Sequence, residues 1–206
     1  MQETFFSADH VYRQHRFSLP LDHDNPTAGE VTVFAREVVS KSQRDNKDLP
    51  WLVYLQGGPG FPSPRPSSHS GWLKRALEGY RVLLLDQRGT GLSTIISHQT
   101  LATMTPQAQA DYLAHFRADS IVRDAEAIRV ELGVEKWSIL GQSFGGSMMD
   151  AGYAAKLVAD HERRLGRDHL RPRGLRGREH PRTRAVVDEA DRGDALAAAR
   201  DAAELA

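Results

Sequence analysis

Three continuous apolar runs, each followed by a glycine-bearing loop, predict an α/β fold with a mainly parallel sheet. The runs are Trp51-Leu52-Val53-Tyr54-Leu55, Arg81-Val82-Leu83-Leu84-Leu85-Asp86 and Trp137-Ser138-Ile139-Leu140. Strands buried on both faces read this way, because neither set of alternating side chains meets water. Between the second and third runs, Ile121, Ala125, Ile128 and Leu132 recur at helical spacing, and Gly133 suits a C-cap. Alternating strands and helices give parallel pairing with helices on both faces of the sheet.

The remaining elements fit around these. Val11 to Leu19 and Val31 to Val39 read as strands, and Asp22-His23-Asp24-Asn25-Pro26-Thr27-Ala28-Gly29 between them supplies turn chemistry. An antiparallel hairpin is expected there. Lys41 to Asp48 is a polar linker, Gln56 to Ser70 is a loop dense in Gly, Pro and Ser, and Gly71 to Glu78 suits a short helix. A last helix is expected to begin at Phe144.

Composition narrows the function classes. A chain of 206 residues suits a single core, and 27 basic against 27 acidic residues favour neither nucleic acid nor an anionic membrane as partner. With no cysteine, disulfides, thiolate catalysis and thiolate metal sites are excluded. Met1-Gln2-Glu3-Thr4-Phe5-Phe6 lacks the pattern of a secretory signal, and no apolar run approaches membrane-spanning length. A soluble, cytoplasmic protein is the expectation.

Chemistry concentrates in the loops behind the three apolar strands. Gln56-Gly57-Gly58-Pro59-Gly60 follows the first, and a Gly-Gly pair leaves backbone N–H groups uncovered for a developing oxyanion. Asp86-Gln87-Arg88-Gly89-Thr90-Gly91-Leu92-Ser93 follows the second. Gly141-Gln142-Ser143-Phe144-Gly145-Gly146 follows the third, and a serine between glycines at a strand-to-helix junction fits a nucleophile elbow. Ser143 is the expected nucleophile, with the N–H groups near Gly58 and at Phe144 as oxyanion donors. Taken one at a time, these segments also read as a plain loop, a turn with a capping aspartate and a chance pattern; their common order behind three strands favours chemistry.

In these segments the chain resembles the proline iminopeptidases (prolyl aminopeptidases), serine peptidases of the α/β-hydrolase fold. Asp86 to Ser93 matches that family's second motif in full. Gly57-Gly58-Pro59-Gly60 matches its first loop, with Gln56 where histidine is common. The resemblance covers roughly residues 10 to 150, the N-terminal half of the fold. It implies release of an N-terminal residue, usually proline, from a peptide with a free N-terminus, through an acyl-enzyme on Ser143. Gly57, Pro59, Gly60, Asp86, Gln87, Arg88 and Gly89 would support the site. No metal or organic cofactor is implied.

The chain changes character after Lys156. Every aromatic residue lies at or before Tyr153, and the segment from Asp160 to Ala206 is rich in Arg, Ala and Asp, with Val186-Val187 its nearest approach to a strand. The sequence therefore divides into a hydrolase-like portion, 1–156, and an atypical tail, 157–206, expected to be irregular or partly helical, or read in a shifted frame beyond Ser147. In this fold an acid and a histidine follow the nucleophile on later loops. His161, His169 and His180, with Asp160, Asp168 or Asp188, are the available residues, but no strand is expected to position them. No triad Asp or His is identifiable. A non-catalytic fragment, and less strongly an interaction scaffold, stand as alternatives to the peptidase.

Overall fold

The computed structural model of the chain describes residues 3–58, 60–65 and 71–146, and the backbone of 183–188. Its strands are β1 (Glu3–Phe6), β2 (His10–Pro20), β3 (Glu30–Ser40), β4 (Trp51–Leu55), β5 (Arg81–Asp86), β6 (Trp137–Gln142) and β7 (Thr183–Asp188). They form one seven-stranded sheet in the order β1-β2-β3-β5-β4-β6-β7. Pairing is antiparallel from β1 to β5 and parallel among β5, β4, β6 and β7. The helices are α1 (Gly71–Ala76), α2 (His98–Leu101), α3 (Pro106–Ala114) and α4 (Ala118–Glu131).

The apolar runs are buried on both faces, as their composition predicts. Val53, Leu55, Leu83, Leu85 and Ile139 pack with Ile121, Ala125 and Ile128 of α4. On the opposite face Leu52, Tyr54, Val82, Leu84 and Leu140 pack with Leu73 and Ala76 of α1. Alternate residues of β4 and β5 thus feed two separate cores. The hairpin is also as expected, with β2 and β3 in register from His10↔Ser40 to Pro20↔Glu30.

Three features differ from the sequence expectation. Strand β1 carries Phe5 and Phe6 at 49% and 64% exposure, so it has no burial pattern to announce it; backbone pairing with β2 forms it. Helices α2 and α3 bury no residue and therefore show no apolar period. Their signals are caps: Ser97 and Thr100 form a capping box, and Thr105 caps a helix that opens on Pro106. The third difference is a correction to the tail. Thr183–Asp188 is a strand parallel to β6, paired from Trp137↔Thr183 to Gln142↔Asp188, so β6 is an interior strand.

Two buried ion clusters brace the fold, one between strands of the sheet and one between the sheet's loops and α4. Glu37 on β3 is 3% exposed and meets Arg13, His15 Nε2 at 3.0 Å and Arg81 Nη1 at 2.5 Å. Burial alone would raise its carboxyl pKa. Hydrogen bonds from His15 and Arg81, with the charges of Arg13 and Arg81, outweigh burial and hold it at about 2. In the second cluster Arg88 donates to both oxygens of Asp124 on α4, at 2.7 and 2.5 Å. It also donates to the carbonyls of Pro20, Leu21 and His115. Both side chains are essentially inaccessible. One guanidinium therefore ties the loop after β5 to the hairpin, the end of α3 and the middle of α4.

Because the folded pKa of Glu37 lies below 4.5, its contribution is complete above that pH and is lost as pH falls toward about 2. In urea titrations Glu37→Gln is expected to be less stable at pH 7 by about 3 kcal/mol. The gap to the parent chain should narrow between pH 4.5 and 2. A constant gap across that window would contradict the assignment. Asp124→Ala strands the Arg88 charge in the interior and is expected to cost about 3–5 kcal/mol in the same assay.

Candidate active site

The loops after β4, β5 and β6 emerge at the carboxyl ends of three adjacent parallel strands, where open α/β sheets form their crevice. At the end of β6 the chain turns sharply into a helical segment beginning at Phe144, and Gly146 N donates to Ser143 O at 2.8 Å. Ser143 has φ of 51° and is the one described non-glycine residue at positive φ. Its side chain is exposed. Such a conformation costs a residue with a Cβ about 1–2 kcal/mol and persists where the surroundings over-determine it.

Close backbone contacts provide that determination. A Cβ on Gly145 would lie 2.2 Å from Leu55 O at the end of β4, and one on Gly141 would lie 2.6 Å from the Gly145 carbonyl carbon. The turn can pack against β4 this tightly only without side chains. The expected oxyanion loop meets it from the other side. Gly57 is buried, and a Cβ there would lie 2.6 Å from Gln142 O and 2.9 Å from Ser143 Cβ. Gly58 and Gly60 are exposed in the following turn, with φ of 127° and 99°. Pro59 lies outside the described residues.

The loop after β5 packs beneath these two. Asp86 is fully buried and accepts from Ser63 N at 3.0 Å, Leu92 N at 2.9 Å and both terminal nitrogens of Arg65 at 3.1 and 2.7 Å. Gln87 donates through Nε2 to Gln56 O at 2.9 Å. Arg88 anchors the loop through Asp124, and Gly89 N donates to Thr94 O at 2.9 Å. Beside Asp86, Arg16, Arg36 and Arg65 gather around the Phe34 ring. Burial and the neighbouring Arg65 charge lower the Arg36 pKa, against the opposing influence of Asp86 and Tyr12.

The structure thus brings Gly57, Gln142 and Ser143 into contact and sets Asp86, Gln87 and Arg88 behind them. Several participants escaped sequence reasoning. Ser63 and Arg65 complete the Asp86 cluster, and Tyr54 O–H donates to Gln56 Oε1 at 2.5 Å while lying 3.4 Å from Gln142 Oε1. Asp124 did carry a signal, for it falls on the apolar stripe of α4 between Ile121 and Ile128. His161, His169, His180, Asp160 and Asp168 lie outside the described residues. Asp188 ends β7, opposite Gln142 in register. Among the described residues no group of His, Asp or Glu is arranged to hold a metal ion, and no helix is long and apolar enough to cross a membrane.

Comparison with known proteins agrees with this architecture. Residues 50–160 match the family described as alpha/beta hydrolase fold. A proline iminopeptidase of Aeromonas sobria is 60% identical over 134 residues, covering 64% of this chain and 31% of that protein. A proline iminopeptidase of Aspergillus aculeatus is 48% identical over 139 residues, with the same shares covered. Among solved structures, a proline iminopeptidase-related protein from Thermus thermophilus aligns over 68% of this chain and 40% of its own, at 23% identity and a TM-score of 0.42. The chain spans about a third of the length of the curated relatives it matches. With residues 50–160 matched, this chain belongs to the α/β-hydrolase fold family, and its sequence is similar to those of proline iminopeptidases over about a third of their length.

Proposed function

We propose that the chain carries the nucleophile half of a serine peptidase site that releases an N-terminal residue, proline foremost, from peptides. The observation that supports this most directly is Ser143 itself: exposed, at positive φ at the end of β6, with the Gly57 backbone against it. In this reading the Ser143 hydroxyl attacks the scissile carbonyl, and the N–H groups near Gly58 and at Phe144 receive the oxyanion. A histidine takes the serine proton and returns it to the leaving amine, and water then releases the acyl group. The substrate is a peptide with a free N-terminus, and the reaction needs no cofactor.

A second reading is supported by the change of composition in 157–206: a chain that holds the elbow without completing the triad. Hydrolysis of prolyl-4-nitroanilide separates the two. The peptidase is expected to turn the substrate over, and Ser143→Ala to lower kcat on the order of 10³-fold or more. Absence of turnover in the parent chain supports the incomplete site, and turnover that survives Ser143→Ala removes Ser143 from the chemistry. Gly145→Ala sets a methyl against Leu55 O and is expected to lower stability by about 1–3 kcal/mol in thermal unfolding.

A further inference from the structure

We propose that Gln87 is a positioning residue for the oxyanion loop, acting with Asp86 to hold that loop at its two ends. The inference rests on the peptidase reading of the site. Among the described residues, no backbone–backbone hydrogen bond secures the loop between Gln56 and Ser63. What holds it are two consecutive residues at the end of β5. Asp86 accepts from Ser63 N at 3.0 Å, and Ser63 Oγ donates to Leu85 O at 2.7 Å, which fixes the far end. Gln87, 3% exposed, donates from Nε2 to Gln56 O at 2.9 Å, which fixes the near end.

The near end matters for chemistry because of the peptide geometry. The Gln56–Gly57 peptide is a rigid plane in which the N–H points opposite to the C=O. Strand β4 lies between β5 and β6. Capture of the Gln56 carbonyl from the β5 side therefore fixes the plane from which the Gly57–Gly58 turn, with its proposed oxyanion donor near Gly58, departs beside Gln142 and Ser143. Without the amide of Gln87 that plane loses its side-chain anchor on the β5 side, and the donor near Gly58 is no longer held at one orientation. Tyr54 O–H restrains the same residue through its side chain, at Gln56 Oε1, so Gln56 is held at both its backbone carbonyl and its side chain. Gln87 acts on the reaction through Gln56 and touches no substrate.

The test uses the whole chain with Gln87→Met, which keeps length and burial but has no donor, and Gln87→Glu as a second variant of nearly identical shape. Hydrogen–deuterium exchange of residues 54–57, where the paired end of β4 runs into the loop, is expected to rise about fivefold or more in both, the weight of one hydrogen bond, with β5 and α4 within about twofold of the parent. On prolyl-4-nitroanilide kcat is expected to fall about tenfold with KM nearly unchanged, since only the developing oxyanion loses a donor. Unchanged exchange in 54–57, a rise shared equally by β5 and α4, or a loss confined to KM would overturn the proposal. Absence of turnover in the parent chain counts against the peptidase reading alone, and the exchange measurement then decides the role of Gln87.

Discussion

The Asp86 carboxylate is the constraint on which the arrangement of loops depends. It is fully buried at the end of β5, and a charge in that place is tolerated only with its partners around it. Those partners come from two directions: Ser63 and Arg65 from the loop after β4, and Leu92 from the loop after β5. The backbone carbonyl of Asp86 accepts from Ser93 Oγ, which in turn accepts from Phe34 N on β3. Space around the carboxylate is so limited that a Cβ on Gly91 would lie 2.1 Å from Asp86 Oδ2. The need to satisfy one buried charge thereby fixes the loop that meets the serine and the loop that packs behind it.

Strain at Ser143 is tolerated because its neighbours are rigid. Strands β4, β5 and β6 are buried on both faces, and glycine backbones meet Leu55 O and Gln142 O at distances no side chain permits. The Arg88–Asp124 pair adds a second brace, joining the loop after β5 to α4 and to the hairpin. The site thus rests on rigid strands with paired polar groups beneath it, which is the condition for holding a nucleophile in an unfavourable conformation.

Much of this was legible in the sequence. Apolar runs announced β4, β5 and β6 because burial on both faces removes the polar alternation, and helical spacing announced α4. The glycines at 141 and 145 announced the sharp turn around Ser143, and the Gly57-Gly58 pair announced a loop with uncovered backbone N–H groups. Of the segments that were missed, β1, α2 and α3 share a physical cause, which is that they bury little. Strand β1 exposes both of its phenylalanines, and α2 and α3 bury nothing, so caps and backbone pairing form them. Strand β7 has only Val186 and Val187 as an apolar signal among polar neighbours, too little to distinguish it from loop.

The sequence by itself determined the order of the buried elements from β2 to β6 and the three loops in which chemistry gathers, since periodicity, glycine and a serine at a strand end are local properties. Only the tertiary structure decided which groups those loops use. Asp86 meets Ser63 across 23 positions of chain, Gln87 meets Gln56 across 31, and Arg88 meets Asp124 across 36. Such partnerships arise because sheet order sets β4 between β5 and β6, which chain order does not state.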